Sequence, residues 1–315
     1  MLLTSVLGLA GLAAATPVGS IEDYVTSLDD GGGASEQDYT SIKYYVQHAA
    51  AAYCNFDAAP GRTIVCGKNA CPLVQQNKPT VVASFAGRYT GIGAYVAVDA
   101  VRREIVLSVR GSSSIRNFIT DIMFAWQGTR PREPSGRPAS RIPGSASSRR
   151  AILSAAHLRR NNGYAVDVYT YGSPRVGNDK FASWMTGQPG GQWRVTHHDD
   201  PVPRLPPIFV GYRHISPEYW LSGGRNMLHD WPIGQLRVCK GIASTACNAG
   251  TFGLDILAHL HYLGETSACA GFPLVWKRDD VSNDELEQRL DDWSRKDQDY
   301  VGKSKRERAD AGPAE

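Results

Sequence analysis

The chain has 315 residues, 42% of them hydrophobic, which suits one sizeable α/β domain with appended arms better than two equal domains. Its 34 basic and 31 acidic residues leave a net charge of +3, without the basic excess that marks a nucleic-acid binder and with nothing that selects an acidic substrate. Past the N-terminus no stretch is long and apolar enough to read as a transmembrane helix.

The chain opens on MLLTSVLGLAGLAAATPVGS. The apolar run Leu2–Ala15 is too short to span a bilayer, and Ala13-Ala14-Ala15 suits signal peptidase. Residues 1–15 therefore read as a secretory signal peptide, and the protein as secreted and extracellular. Residues 16–37 are rich in Gly, Ser and Asp and read as a propeptide or loose arm. From Asp38, DYTSIKYYVQHAAAAYC has Ile42, Tyr45, Val46 and Ala49 at helical spacing. TVVASFAG (80–87), IGAYVAVD (92–99) and REIVLSVRG (103–111) read as strands, the last two a hairpin turning at 99–102. SIRNFITDIMF follows, with Ile115, Phe118, Ile119 and Ile122 on one face of a short helix.

Residues 128–150 carry one large aliphatic, Ile142, a disorder-like composition in the middle of an apparent α/β domain. Regular patterning resumes with a helix (151–160), the apolar strand AVDVYTYG (165–172), a helix (178–186) and the strand QWRVTHH (192–198). TFGLDILAHLHYLG (251–264) reads as a loop and late helix. Residues 271–315 are strongly charged and read as a solvated tail outside the 38–270 domain, although Ser282-Asn-Asp-Glu285 could cap an exposed helix.

The six cysteines are an even count behind a signal peptide, which suggests three disulfides. Cys66–Cys71 and Cys239–Cys247 would close local loops, leaving Cys54–Cys269 to tie the first helix to the end of the core. No C-x-x-C occurs, which argues against zinc.

VLSVRGSSSIRNFITDIMF, DVYTYGSPRVGN, THHDDPVPRLPPIFVGYRH, SPEYW and DILAHLHYLG occur in that order. Together they resemble the secreted fungal triacylglycerol lipases of the α/β-hydrolase fold, the filamentous-fungal lipase and feruloyl esterase group. The resemblance covers residues 38–270 apart from 128–150. It implies an α/β-hydrolase-type sheet flanked by helices, and a carboxylic-ester hydrolase working by Ser-His-Asp acyl transfer without metal or cofactor. By the same resemblance Asp200 is the triad acid, with Asp199 the neighbouring alternative, and His259 the triad base. Ser112 contributes to the oxyanion hole, and the Ile115–Ile122 helix is a lid with its apolar face over the site. The physical logic fits. A carboxylate at a strand end, fixed by Pro201 and Pro203, can orient an imidazole and stabilise its cation. His197 and His198 lack further ligands at metal-binding spacing and read as polar strand-end residues. His261, His214 and His229 read as hydrogen-bonding loop residues.

The nucleophile is the missing part. A strand–elbow–helix needs G-x-S-x-G so that the serine can sit in a strained, exposed turn, and the sequence contains no such motif. Counting back from Ala155-Ala156-His157-Leu158, which resembles the helix after the elbow, the position falls on Ser145 in Pro-Gly-Ser-Ala-Ser. Only 24 residues separate Trp126 from Ala151, barely one crossover unit. The expected sheet is therefore incomplete around the elbow, through a lost segment or a mistranslated one. The expected partner is an acylglycerol or other ester at a lipid–water interface, with no nucleic acid and no protein partner implied. Two rivals stand beside this reading: a catalytically dead lipid-surface binder, and an aryl (feruloyl) esterase.

Overall fold

In the computed structural model, which describes residues 32–87, 93–111, 119, 147–224, 230–266 and 282–311, the strands form two sheets. Helix α1 (Glu36–Asn55) starts where Ser35 accepts the Asp38 N–H at 3.0 Å, with Glu36 and Asp38 in the first turn to complement the helix dipole. It runs across both sheets. Tyr44, Ala51 and Ala52 pack with Val81, Tyr95 and Ala97, while Ile42 and Val46 pack with Val195, Leu221 and Tyr262. The short helix α2 (Pro72–Asn77) lies beside the first of these clusters through Val74.

Strands β2 (Thr80–Ala86), β3 (Gly93–Asp99) and β4 (Glu104–Val109) form an antiparallel meander in that order. The expected turn at its second hairpin is held by Asp99, whose Oδ1 accepts the N–H of Val101 and of Arg102. The second sheet runs β1–β8–β7–β6–β5, built from β1 (Gly32–Gly33), β5 (Val168–Tyr171), β6 (Gln192–His197), β7 (Glu218–Leu221) and β8 (Leu236–Cys239). β5, β6 and β7 are parallel; β8 and β1 are antiparallel additions. Helices α3 (Ser147–Asn162) and α4 (Asp179–Thr186) flank β5, packing Ile152, Ala155 and Met185 against Val168. Tyr45, Tyr169 and Trp193 stack in a row at 4.0 and 4.4 Å and join α1 to this sheet. The mixed sheet flanked by helices is the expected architecture, and among the described residues no strand joins β4 to β5.

The charged segment after residue 271 departs from a solvated tail. Ser282 Oγ accepts the Glu285 N–H at 3.1 Å, the capping contact its sequence offers, and starts helix α6 (Asn283–Ala311). One face of that helix is buried: Leu286 and Leu290 pack with Val202, Leu205 and Ile119, and Asp297 is 3% exposed. The physical reason is a narrow apolar stripe within a charged sequence.

Disulfides Cys66–Cys71 and Cys239–Cys247 form as expected. Cys54 is disulfide-bonded, while Cys269 lies outside the described residues.

Burial of His48 on the inner face of α1, beside Tyr95 Oη at 2.7 Å, pushes its imidazole down to about 4. The folded state thus keeps this ring neutral where the unfolded chain would take a proton. Its contribution is complete above the unfolded value near 6.5 and is lost as pH falls toward 4, roughly 3 kcal/mol in all at ~1.4 kcal/mol per pH unit. His214, held well below the usual range by burial and by Arg194 and Arg175, acts in the same direction. Urea midpoints should therefore fall between pH 6.5 and 4; a flat profile would contradict a neutral buried His48.

Candidate active site

Strand β6 ends in Thr196-His197 and turns at His198, which adopts a positive φ of 38°. The chain then enters a short 3-10 turn at Val202–Arg204. Asp200 lies between these features and is fully buried. Its Oδ1 accepts the Val202 N–H at 2.9 Å, and its backbone carbonyl accepts Asn248 Nδ2 at 3.1 Å. The Pro-Val-Pro sequence folds the backbone back onto the carboxylate, which fixes its direction.

His259 reaches this carboxylate from helix α5 (Ile256–Leu260), where Asp255 caps the N-terminus by accepting from Leu257 and Ala258 N–H. Nδ1 of His259 lies 2.8 Å from Asp200 Oδ2 and 3.1 Å from Oδ1. The structure thus brings together two residues 59 positions apart that the sequence selected. Asp199 does not share this contact; its Oδ1 meets His198 Nδ1 at 2.5 Å. His197 is buried with its ring between Ala258 O (3.1 Å) and Gly224 O (3.2 Å), and so ties the end of β6 to the helix carrying His259. His214 braces the same loop from Pro203 O at 2.8 Å, as a hydrogen-bonding residue should.

Two supporting residues were not visible in the sequence. Tyr262 donates its hydroxyl to Asp200 Oδ2, and burial first, then the Asp200 charge, hold that phenol well above its ordinary range. It is a permanent donor to the carboxylate. Gly172, after β5, has φ +61°, and a Cβ there would fall 2.6 Å from His259 Cε1 and 2.9 Å from Tyr262 Oη. The imidazole rests on this bare backbone. The one sequence signal was the Gly-Ser turn leaving a central strand. Gly172→Ala should displace the ring, and a shift of order 1 Å costs about a hundredfold in acyl transfer. Steady-state hydrolysis rates of the folded variant check this, and wild-type rates would contradict it.

His259 and Gly172 stand at one end of a cavity of ≈ 970 Å³, bordered by β4, β5, α1 and α3. Ser112, Ser145, Ile115, Phe118, Ile122 and His229 lie outside the described residues. Ile119 is fully buried against Val202, Leu205, Leu286 and Leu290. Ser145 precedes the first residue of α3 by two positions in the sequence.

Comparison with known proteins supplies a family. The model of the family "Lipase (class 3)" matches residues 144–210, which include α3, β5, β6 and Asp200. Secreted mono- and diacylglycerol lipase 1 of Fusarium solani is 43% identical over 331 residues, covering 96% of this chain and 98% of its own. Secreted mono- and diacylglycerol lipase A of Penicillium cyclopium is 32% identical over 280 residues, covering 78% of this chain and 90% of its own. The crystal structure of mono- and diacylglycerol lipase from Aspergillus oryzae superposes with a TM-score of 0.63 at 32% identity, over 75% of this chain and 100% of that one. On likeness of this extent, with the mixed sheet and flanking helices already described, the chain belongs to the class 3 lipases, as a secreted ester hydrolase of the α/β-hydrolase fold.

Proposed function

We propose that the protein hydrolyses acylglycerols at a lipid–water interface, mono- and diacylglycerols foremost, by acyl transfer with His259 as the base and Asp200 as its orienting acid. The observation that carries this reading is the Asp200–His259 contact at 2.8 Å, with the carboxylate buried and the imidazole bordering the cavity. Asp200 accepts from His259 Nδ1, Val202 N and Tyr262 Oη, which fixes the tautomer carrying its proton on Nδ1. Nε2 is then the nitrogen that takes the proton from a serine hydroxyl and returns it to the leaving glycerol oxygen. Water next attacks the acyl-serine by the same route.

Ser145 is the proposed nucleophile position. It stands just before α3, where an elbow serine must stand, and the family match opens one residue earlier at Gly144. Ser112, directly after Gly111 beyond β4, is the proposed oxyanion donor through its N–H and hydroxyl. Ile115, Phe118, Ile119 and Ile122 form the proposed lid face, and their apolar character favours lipid esters over soluble aryl esters.

A fluorophosphonate probe tests the reading on purified protein. Labelling at Ser145 is expected, slowed at least a hundredfold in His259→Ala. No labelling, with binding to diacylglycerol emulsions intact, would favour a lipid-surface binder, the alternative that the absent G-x-S-x-G supports. Faster turnover of soluble feruloyl esters than of diolein emulsions would overturn the substrate class.

A further inference from the structure

We propose that Asn248 is a positioning residue for the triad acid: its side-chain amide holds the main chain at Asp200 and so aims the carboxylate at His259. The inference rests on the acid role proposed for Asp200.

Asn248 is 1% exposed and lies 48 positions after Asp200. Its Nδ2 donates to two carbonyls at once, that of His198 at 3.0 Å and that of Asp200 at 3.1 Å. An amide NH2 carries two protons, so both are committed. Among the described residues its Oδ1 has no hydrogen-bond partner, and turning the amide over would set an oxygen against two carbonyl oxygens. The side chain is therefore used for its pair of donors. Asp200 N–H donates to His197 O at 2.9 Å. With its carbonyl held by Asn248, both peptide groups that flank the Asp200 Cα are fixed, and with them the direction in which its side chain leaves the backbone.

Asn248 is itself anchored to the sheet. Its N–H donates to Glu218 Oε1 on β7 at 3.2 Å. Its neighbour Cys247 is bonded to Cys239 of β8, which pairs with Glu218 across the two strands. Glu218 Oε1 also accepts the hydroxyl of Thr196 at 2.5 Å, on the strand that runs into the acid turn. The buried carboxylate on β7 thus ties the anchor of that turn to the strand that enters it.

The same residue reaches toward the base. Its carbonyl accepts the N–H and the hydroxyl of Thr251 at 3.0 and 2.7 Å. Thr251 O accepts Arg204 Nη1 at 3.1 Å, and Arg204 Nη2 donates to Asp199 O at 3.3 Å and to Gly253 O. A ring of hydrogen bonds closes through Asp200, Asn248, Thr251, Arg204 and Asp199. Just past Gly253 the chain reaches Asp255, the N-cap of the helix that carries His259. Acid and base are thereby spaced by one cross-linked pair of loops, in which Asn248 holds the acid's own carbonyl.

Asn248→Ala and Asn248→Ser test the proposal. Serine has one donor proton and serves one carbonyl at most, and it is the variant read if the alanine protein does not fold. Well below the melting temperature, kcat for diolein should fall at least tenfold with KM within twofold, the pattern of a misplaced catalytic group. The far-downfield proton signal of the His259 Nδ1, assigned by its loss in His259→Ala, should move or broaden away. That signal needs no ester cleavage, so an absence of wild-type turnover would defeat the acyl-transfer reading while the signal still decides the role of Asn248. Trp220→Phe is the comparison: it removes the Nε1 donor to His198 O at 2.9 Å and leaves the Asp200 carbonyl held, so kcat should stay within threefold and the signal in place. A folded Asn248 variant with kcat within threefold of wild type or with the His259 signal unmoved, or an equal loss in Trp220→Phe, would overturn the proposal.

Discussion

Asp297→Ala is expected to lower the unfolding free energy by about 3–5 kcal/mol, the usual cost of stripping one partner from a buried ion pair. Asp297 projects from α6 to Arg175, 3.1 Å away, with side-chain exposures of 4% and 1%. Burial pushes the Arg175 guanidinium down to about 10 and the Asp297 charge opposes that shift, so the carboxylate offsets the cost of burying the cation. The same guanidinium donates to the carbonyls of Arg204 and Pro206 at 2.6 and 2.8 Å, and Asp297 also accepts the Phe209 N–H at 2.9 Å. Arg204 repeats the pattern, reaching Ser294 on α6, Thr251 O and Asp199 O. The C-terminal helix thus clasps the loop that carries Asp200 and the loop that leads to α5. Arg175→Met combined with Asp297→Leu should recover part of the loss, since an apolar pair avoids the stranded charge but leaves the Arg204 and Pro206 carbonyls and the Phe209 N–H without these partners. Urea denaturation of the two single variants and the double variant reads this directly. A loss under ~1 kcal/mol for Asp297→Ala would mean that α6 does not dock as described.

Asp200→Asn is expected to reduce acylglycerol hydrolysis by about four orders of magnitude while leaving the fold intact. The amide keeps the shape of the carboxylate and can still meet the Val202 N–H. It cannot stabilise an imidazolium, and its NH2 group favours the His259 tautomer with Nδ1 unprotonated, which leaves no base at Nε2. It also faces the Tyr262 hydroxyl, which burial and the Asp200 charge had kept as a donor. Diolein initial rates, with circular dichroism to confirm folding, measure the effect. A loss below tenfold would remove Asp200 from the acid role.

The strands that alternate cleanly were legible: β2 through β6 sit within a few residues of their expected spans, because period-two apolar spacing is local information. β7 was not legible. Its Glu218 is 2% exposed, pairs with Arg194 at 2.9 Å and accepts the Thr196 hydroxyl, so a charge stands where a core strand should show an apolar residue. The docking of α6 was hidden in the same way. Leu286, Leu290 and Trp293 form a thin stripe among charges, and Asp297 is tolerable inside only because Arg175 arrives from 122 residues away. At the site, Asp200 and His259 were named through family resemblance and converge in space. Tyr262 and Gly172 act on them through tertiary contact alone, which no local pattern encodes. The Pro- and Arg-rich stretch 128–150 lies in the chain between β4 and β5, where among the described residues no strand joins the two.

The most direct measurement is the proton NMR spectrum of the purified protein in the far-downfield region, where a hydrogen-bonded imidazole Nδ1 proton resonates. A signal from His259 is expected, absent in His259→Ala and absent in Asp200→Ala, while any signal from the His198–Asp199 contact is identified by its loss in His198→Ala. A spectrum without the His259 signal, or a His259 signal that survives Asp200→Ala, would contradict the paired acid and base on which the hydrolytic reading stands.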